Sequence, residues 1–466
     1  MECNTTTSLN KESIKLMVKL YKFQKKDVRK MEHFKGRCLL ASEMGLGKTL
    51  EALTWLKQHP KLRPAIVVCP ASLKWVWEAE ASLHFGMRSE ILNGQKPPKK
   101  GLSSKHPLLI INYEILQYWI EYLQALNPQV LLLDEVHFIK SLTAKRTKAV
   151  IKLAKTIPYI IGISGTPLTN RPNELWTIIH LIRPDIFTSL WTYRWRYCKP
   201  VRMPWGWQYK GASNLKELHR KLKTLMMIRN LKKDVLKELP EKTRQIIPLE
   251  IDSTEYDKVL NNFIQWLTKK SADKVVKAKR AERLVQMGYL KRLAAELKME
   301  KVLDWIDNFL EESDGKIVLG AIHKKIITQL HSKYKNISVV VDGSVTGKKR
   351  KIAIQTFQKN KRIRIFIGSI QAAGVGITLT AASTLALIEL PWMPSEVTQF
   401  EDRIHRIGQK KAAMIYYLIA KDTLEEDLCK ILQKKQTILS ATLDGKKKIN
   451  SLDIYNELQR KLLVFY

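Results

Sequence analysis

The chain has 466 residues, of which 81 are Lys or Arg and 44 are Asp or Glu, giving a formal net charge of +37, and 45% are hydrophobic. This length favours two to four domains, each large enough for its own core, and the composition excludes a disulfide-rich miniprotein and a disordered chain. The charge favours a nucleic-acid partner over a simple lysine-rich bias of the proteome.

The five cysteines are far apart and form no Cys-x-x-Cys pair, so we expect reduced packing residues rather than a zinc site. The polar N-terminus lacks the apolar segment of a signal peptide. No apolar run approaches the roughly 18 residues of a membrane span. We therefore expect an intracellular protein with no membrane association, in the cytoplasm or nucleoid if bacterial, phage or viral, and in the nucleus if eukaryotic.

Two blocks of short apolar, β-branched runs alternating with amphipathic stretches predict βαβ units with parallel sheets. The first block has predicted strands at Cys38–Ala41, Ala65–Cys69, Leu108–Ile111, Val130–Asp134 and Tyr159–Ile163. The second has them at Ile317–Gly320, Ile337–Asp342, Ile363–Gly368, Thr384–Glu389 and Met414–Ile419. The predicted fold is α/β, with two lobes of parallel sheet flanked by helices.

Between the blocks the sequence is helical and basic, with no clear strand, which predicts a helical insert. The predicted divisions are a first lobe at 1–170, the insert and linker at 171–298, a second lobe at 299–440 and a basic helical tail at 441–466.

The first predicted strand is followed by a glycine-bearing loop and a helix-forming stretch, SEMGLGKTLEA. Glycines let backbone N–H groups approach phosphates, and the helix N-terminus favours negative charge. We expect nucleotide contacts from Ser42, Glu43, Met44, Gly45, Leu46, Gly47, Lys48 and Thr49. Lys48 is expected to neutralise the β- and γ-phosphates of ATP, and Thr49 to ligate Mg²⁺.

A second acidic motif, LLLDEVH, begins as a buried strand and ends in two carboxylates. This pair suits metal-assisted hydrolysis, with Asp134 binding Mg²⁺ and Glu135 activating the attacking water. Two solvated acids after a strand are common in proteins. A pair of solvated acids with no catalytic role is the less favoured alternative, because a phosphate loop precedes the pair at a suitable distance.

Three other strand ends carry residues that could face the phosphates of a bound nucleic acid, since ligands lie beyond the carboxyl ends of parallel strands. They are Pro70, Ser72, Leu73 and Trp77 after one strand, Asn112 and Tyr113 after another, and Thr166 after a third. For Trp75 and Trp77, core packing is an equal alternative.

In the second block, Arg403 and Arg406 are three residues apart on one predicted helical face, beside Gln399, Gly408 and Gln409. They are candidate arginine fingers that reach a γ-phosphate from the opposite lobe. A solvated basic helix is the alternative.

These motifs occur in one order: FQKKDV, ASEMGLGKT, VVCPASLKWVWEAE, INYE, LLLDEVHFIK, ISGTPLTNRPNELW, DGSV, AAGVGITLTAA and QFEDRIHRIGQ. The series resembles the switch/sucrose-non-fermenting (Snf-type) ATPases of helicase superfamily two, from Tyr21 to Asp427. The stretches at 196–220 and 231–244 resemble most the HARP-like branch, the annealing helicases that rewind DNA and remodel forks.

The resemblance implies two RecA-like lobes that clamp ATP and Mg²⁺ and translocate, as a monomer, on double-stranded or forked DNA. It implies that Gln24 contacts adenine and that His137 and Thr166 couple the ATP state to DNA contact. It also implies that Gly374, Gly376 and Thr378 line the DNA and ATP side of the second lobe, with Gln399 and Gln409 beside the arginine fingers.

Four positions depart from the family pattern, although none removes a catalytic group. Ser42 stands where Asp is usual, Val136 where Ala or Ser is usual, and Lys22 where Pro is common. Asn230 stands where the family often has a second Arg, which puts a contact of the insert in doubt.

Two basic segments have open interpretations. Trp191, Trp195, Trp205 and Trp207 interleave with Arg194, Arg196 and Arg202, which fits either base stacking at a fork or the insert's own small core. Segment 269–283 fits either a solvated helix face or a surface that follows phosphates.

The leading hypothesis is a DNA-dependent ATPase that translocates on duplex DNA, with fork remodelling or strand annealing as its use. The alternatives are a strand-separating helicase on DNA or RNA, and a nucleic-acid scaffold with an inactive nucleotide site. Chromatin remodelling is a weaker alternative, because the sequence shows no histone-reading segment.

Overall fold

The computed structural model describes residues 20–98, 108–167, 171–204, 206–269, 276–345, 347–374 and 376–432. The predicted tail at 441–466 and Trp205 lie outside the described residues, as do residues 270–275 of the basic segment 269–283 and the side chains of its remainder. No helix of the described ranges has the length and apolarity to cross a membrane. Four of the five cysteines fall within these ranges, and all four are buried free thiols.

The first lobe is built around a parallel sheet, as predicted. Its first six strands are β1 (Arg37–Leu40), β2 (Ala65–Cys69), β3 (Ser89–Ile91), β4 (Leu108–Asn112), β5 (Val130–Asp134) and β6 (Tyr159–Ile163). Its helices are α1 (Lys22–His33), α2 (Lys48–Gln58), α3 (Lys74–Phe85), α4 (Ile120–Ala125), α5 (Lys145–Ala154) and α6 (Pro172–Ile182), with 3-10 turns at Ala71–Leu73, Leu116–Tyr118 and Val136–Ile139.

Both faces of this sheet are buried, which explains why its strands are continuous apolar runs. Along β1, Cys38 and Leu40 pack into one apolar cluster and Leu39 packs into the cluster on the opposite face. Successive side chains of a strand point to opposite faces, so one four-residue strand contributes to two cores.

The segment at 171–298 was predicted to contain no clear strand, and this prediction was wrong. It contains α7 (Leu190–Tyr197), α8 (Leu215–Leu225), α9 (Lys232–Val235), α10 (Thr254–Lys269) and α11 (Val276–Leu297) together with strands β7 (Val201–Met203), β8 (Gly206–Gln208), β9 (Met227–Ile228) and β10 (Lys242–Leu249). β9 has two residues, too few for a pattern. β10 is largely exposed and contains Pro248, as an edge strand can.

These strands tie the linker to both lobes. The first sheet has the order β3-β4-β2-β5-β6-β1-β9, so the chain leaves it at β9. β10 then pairs in parallel with the last strand of the second sheet along its full length. The linker, residues 171–298, therefore supplies one edge strand to each sheet, β9 to the first and β10 to the second. The domain boundaries at 170 and 298 stay predictions.

The second lobe is a parallel sheet with helices, again as predicted from the sequence. It has strands β11 (Ile317–Ala321), β12 (Ser338–Val341), β13 (Ile365–Ser369), β14 (Thr384–Leu387) and β15 (Ala413–Ala420), in the order β10-β15-β14-β11-β13-β12. Its helices are α12 (Met299–Glu312), α13 (Lys324–Lys333), α14 (Gly347–Lys359), α15 (Ile370–Ala373) and α16 (Pro394–Glu401). α16 carries Gln399 toward the first lobe.

Candidate nucleotide site between the lobes

The loop between β1 and α2 has the backbone of a phosphate-binding loop. Gly45 has φ +80° and Gly47 has φ +81°, a region that other residues rarely adopt. Gly47 caps the N-terminus of α2, which begins at Lys48. The free N–H groups and the positive end of this helix therefore face the loop, which is an arrangement that favours an anion.

The same two glycines permit close contacts from outside the loop. A Cβ added to Gly45 would lie 2.6 Å from Cβ of Arg406, which belongs to the second lobe. A Cβ on Gly47 would collide with the amide of Gln24. Gln24 donates from Nε2 to the carbonyl of Leu46 at 2.9 Å, so the predicted adenine-contacting residue is fixed against the loop.

Lys48 lies over its own loop. Its Nζ donates to the carbonyls of Ser42 at 2.7 Å and Glu43 at 3.0 Å. Burial lowers the pKa of Lys48 to about 8, and the nearby carboxylate of Glu135 opposes this change. The carbonyl oxygens hold the ammonium where a phosphate could replace them.

Asp134, at the end of β5, is held by three donors. Trp77 Nε1 donates to its Oδ2 at 2.7 Å, the Glu135 N–H donates to its Oδ1 at 2.9 Å, and the Tyr113 hydroxyl donates to its carbonyl at 2.7 Å. Burial and the charge of Glu135 raise the pKa of Asp134, whereas the Trp77 hydrogen bond lowers it. Sequence reasoning left Trp77 open between a DNA contact and the core. The structure shows a buried residue that donates to the predicted Mg²⁺ ligand.

Glu135 has a left-handed backbone, with φ 48°. Ser164 Oγ donates to its Oε2 at 3.1 Å, and His137 Nδ1 lies 3.4 Å from the same oxygen. Burial acts to raise the pKa of Glu135, but the hydrogen bond from His137 and the charge of Lys48 hold it below its usual value. The carboxylate is therefore ionised and oriented, as a base that accepts a proton from water requires.

The two predicted arginine fingers enter the same region from the second lobe. Arg403 is buried, donates from Nη1 to the carbonyl of Ile377 at 3.2 Å, and lies 3.7 Å from Met44 Sδ across the cleft. Arg406 donates to the same carbonyl at 3.1 Å. Burial, followed by the charge of Arg406, lowers the pKa of Arg403 to about 10. The Arg403 guanidinium therefore remains charged at neutral pH.

These side chains surround one cleft of about 350 Å³ between the lobes. Of the predicted nucleotide-site residues, the cleft is lined by Gln24, Met44, Gly45, Gly47, Lys48, Thr49, Asp134, Glu135, Gly376, Arg403 and Arg406. Trp77 and Thr378 line it as well. The phosphate loop, the acidic pair and the arginines, which are distant in sequence, are thus neighbours.

Five predicted nucleotide-site residues do not line the cleft: Ser42, Glu43, Leu46, Gln399 and Gln409. Gln409 donates from Nε2 to the carbonyls of Ala382 at 2.8 Å and Ile404 at 2.9 Å, so its amide braces a loop of the second lobe. Gln399 Nε2 reaches Thr166 Oγ1 at 3.4 Å and so links the lobes. Both amides bond within the protein, and the contact of these glutamines with the nucleotide stays a prediction.

The two departures Ser42 and Asn230 contact each other. Ser42 Oγ accepts from the Asn230 N–H at 3.1 Å and from its Nδ2 at 3.3 Å. The Asn230 amide also donates to Asp27. Burial raises the pKa of Asp27 to about 6, and Lys30 opposes the change. At the two positions where the family pattern has an acid and often a second arginine, this chain has a neutral hydrogen-bonded pair.

A second link joins the phosphate loop to the arginine-bearing segment. The Lys232 N–H donates to Glu43 Oε2 at 2.6 Å, and Lys232 Nζ donates to the carbonyl of His405 at 2.6 Å and pairs with Asp402 at 2.8 Å. Burial acts to raise the pKa of Asp402, but Lys232 and Lys242 hold it well below its usual range. Sequence reasoning missed this link because its residues gain partners only when the lobes meet.

The predicted nucleic-acid contacts divide by exposure. Tyr113, Asn112 and Pro70 are buried; the Tyr113 hydroxyl is bound to Asp134, and Asn112 donates to Glu114 at 2.7 Å. Their predicted contact with DNA phosphates has no geometric support. Ser72 and Thr166 are partly exposed, and the Thr166 N–H donates to Ser164 Oγ at 3.1 Å. These two remain candidates.

Comparison with known families agrees with this geometry. The SNF2-related domain matches residues 10–301, and the helicase conserved C-terminal domain matches residues 298–408. The chain belongs to the SNF2-related family. Both cleft-forming halves of this SNF2-related chain are thus covered by family models.

Two curated relatives and one solved structure illustrate the likeness of this SNF2-related chain. The SWI/SNF-related matrix-associated actin-dependent regulator of chromatin subfamily A-like protein 1 of Xenopus tropicalis is 33% identical, over 92% of this chain and 46% of the relative. The human DNA annealing helicase and endonuclease ZRANB3 is 32% identical, over 93% of this chain and 41% of the relative. The chain thus spans about half the length of the curated relatives it matches. A Sulfolobus solfataricus SWI2/SNF2 ATPase core in complex with dsDNA is 23% identical with a TM-score of 0.45, covering 90% of this chain and 92% of that one.

Proposed function

We propose that this protein is a DNA-dependent ATPase that couples ATP hydrolysis to translocation on double-stranded DNA. The observation that carries this proposal is the cleft in which Lys48 and Glu135 of one lobe meet Arg403 and Arg406 of the other. Arginines supplied across such a cleft stabilise the charge that develops on a transferring phosphoryl group. They also make hydrolysis depend on the relative position of the lobes.

The residues fit ATP and Mg²⁺. The left-handed loop and the α2 N-terminus suit phosphates, and the buried oxygens of Asp134 together with the Thr49 hydroxyl suit a hard cation. When bound, Mg²⁺ supplies charge neutralisation between the phosphates. In this proposal Lys48 exchanges its two carbonyl partners for phosphate oxygens, and Gln24 is available beside the loop for the base.

Glu135 is the proposed general base. Ser164 and His137 orient its carboxylate. The Thr166 N–H donates to Ser164 Oγ, and the Thr166 hydroxyl accepts a hydrogen bond from Gln399 of the second lobe. A change in lobe position that is driven by DNA would move Gln399 relative to Thr166 and so alter the orientation of Glu135. This chain of contacts gives a physical route from DNA binding to catalysis.

Duplex DNA is the proposed track because of the net charge of +37 and the family membership. Two relatives carry the words "annealing helicase" and "regulator of chromatin" in their names. We propose strand annealing or fork remodelling as the use of the activity and a monomer as the acting form. We further propose that the first lobe extends to β9 and that the second begins at β10, which is supported by their membership of the two sheets.

The test is ATP turnover by the native protein and by Lys48→Ala, with blunt duplex, forked DNA, single-stranded DNA and RNA at two salt concentrations. We expect duplex and forked DNA to raise turnover and Lys48→Ala to abolish it. The stimulation should weaken with salt, because phosphate contacts release counterions. Stimulation by single strands alone would instead support a strand-separating helicase, and nucleotide binding without turnover would support a scaffold.

A further inference from the structure

Three exposed tryptophans form a continuous surface on the linker segment, which we name the aromatic patch: Trp191, Trp195 and Trp207. Their exposed fractions are 65%, 39% and 46%. The ring centroids of Trp191 and Trp195 are 5.4 Å apart, and those of Trp195 and Trp207 are 4.8 Å apart. Soluble proteins rarely leave contiguous aromatic surface uncovered unless it binds a partner.

The patch is distinct from the core of the segment. On α7, Tyr193 and Tyr197 are buried, and their hydroxyls donate to the Pro172 carbonyl and to Glu217, each at 2.8 Å. Trp191 and Trp195 lie on the opposite side of the helix, four residues apart. The tyrosines form the core of the segment, whereas Trp191, Trp195 and Trp207 face solvent, so the interpretation of these tryptophans as the insert's core was wrong.

Hydrogen bonds and ring contacts fix the helix and the hairpin that carry the aromatic patch. Arg194 donates to Asn173 Oδ1 at 2.9 Å, and its guanidinium lies 4.8 Å from the centre of the Tyr209 ring. The hairpin of β7 and β8 pairs Arg202 opposite Trp207, so the two side chains share one face of the ribbon. The aromatic rings are thus presented on an anchored surface.

The charge around the patch identifies its partner. Residues 186–216 contain six Lys or Arg residues and no Asp or Glu, and one of the six, Arg196, pairs with Glu217 just beyond this range. Arg202 is exposed beside the rings, and Lys199 is exposed just before β7. Exposed aromatic rings with cations at their edge suit a strand whose bases stack and whose phosphates are neutralised. The charge alone would also suit an acidic protein, but the flat exposed rings favour stacked bases.

We infer that the aromatic patch binds unpaired bases of a DNA strand next to the duplex on which the ATPase acts. The inference rests on the proposed function and names the DNA structure that the protein selects, a junction with a single-stranded arm. Base pairs in intact duplex have their faces covered, so the patch would discriminate between forked and blunt DNA. Phosphate contacts elsewhere on the protein would not discriminate between forked and blunt DNA, because both present the same phosphate backbone.

The test compares Trp191→Ala/Trp207→Ala with Trp191→Phe/Trp207→Phe and with the control Tyr118→Ala, which removes another exposed ring on a separate element. Affinity is measured by fluorescence anisotropy for blunt duplex and for a fork with single-stranded arms, at one salt concentration. Base–aromatic stacking predicts that the alanine variant loses about tenfold or more in affinity for the fork. Its affinity for blunt duplex and its ATP turnover on blunt duplex should be unchanged, and the Phe variant should stay within about threefold of native, because it retains a ring.

An equal loss on both DNAs, or no loss on the fork, would overturn the inference. It would also be overturned if the native protein formed a dimer that the alanine variant did not, since the patch would then be a self-association surface. Failure of the proposed function is a separate outcome. In that case blunt duplex would not raise ATP turnover of the native protein, whereas the fork-to-duplex affinity ratio would still report on the patch.

Discussion

Replacing Trp77 by Phe should shift the pH dependence of ATP turnover. The change keeps an aromatic ring in the core but removes the N–H that donates to Asp134 Oδ2 at 2.7 Å. Asp134 is the proposed Mg²⁺ ligand, and it binds a cation only as a carboxylate. Burial and Glu135 already raise its pKa, and the indole is one of the groups that oppose this. Without the indole, protonation becomes easier.

The size of the effect follows from the hydrogen bond. A bond to a charged group contributes roughly 1.5–3 kcal/mol. Since about 1.4 kcal/mol corresponds to one pKa unit, the pKa of Asp134 should rise by one unit or more. A group whose pKa rises is ionised only at higher pH, so the acidic limb of the rate profile moves upward. At a given acidic pH, turnover of the variant should fall about tenfold relative to native protein for each unit by which the pKa of Asp134 rises. At alkaline pH the two proteins should differ little.

Trp55→Phe is the matched control. Trp55 is also buried and donates from Nε1 to a carboxylate, Glu32 Oε2, at 2.9 Å, but it lies outside the cleft lining. The assay is DNA-stimulated ATP turnover of both variants and the native protein from acid to alkaline pH, at several Mg²⁺ concentrations. Superimposable acidic limbs for Trp77→Phe and native protein would refute the reasoning, whatever the loss of thermal stability.

Two further predictions concern the polar residues behind the phosphate loop. Burial raises the pKa of Asp27 in the folded protein to about 6. The folded state is therefore destabilised as the pH rises from the pKa of the unfolded chain to about 6, because the buried carboxyl must then ionise. Asp27→Asn, whose side-chain oxygen can still accept from Asn230, should therefore stabilise the fold by about 3 kcal/mol above pH 7 and by little near pH 4, measured by urea unfolding at both pH values. Equal effects at the two pH values would contradict this. Ser42→Asp and Asn230→Arg should each lower the thermal midpoint, and the double variant should recover stability with a coupling of about 1–3 kcal/mol; additive losses would show that the positions are independent.

The parallel sheets and the core of the cleft could be predicted because local patterns determine them. β2, β5 and β6 were predicted at their observed bounds, since each is a short apolar run that both faces of the sheet bury. Lys48 and the Asp134–Glu135 pair could be predicted as neighbours, because strands of one parallel sheet deliver their ends to one edge. No contact between the lobes had to be known.

The short and edge strands and the hydrogen-bond partners of polar side chains could not be predicted, because they depend on which residues meet after folding. β9 and β10 carry no apolar alternation, because β9 is very short and β10 is an exposed edge strand. The position of Gln409 after Arg406 did not indicate that its Nε2 donates to the carbonyls of Ala382 and Ile404. A sequence pattern gives the residue type and its neighbours along the chain. It does not give the hydrogen-bond partners that decide the role of an amide.

The pairing of Ser42 with Asn230 shows how the structure changes the meaning of a departure from a family pattern. Taken one at a time, Ser42 in the phosphate loop is a reason to doubt the nucleotide site, and Asn230 in the linker is a reason to doubt a contact of the insert. In the fold they are one contact, at 3.1 Å between Ser42 Oγ and the Asn230 N–H. A carboxylate at the fully buried position 42 would cost free energy unless it gained a cationic partner. The neutral pair avoids that cost, and Lys48 donates to the backbone carbonyl of residue 42, which either side chain would leave in place, so neither departure by itself indicates decay of the loop.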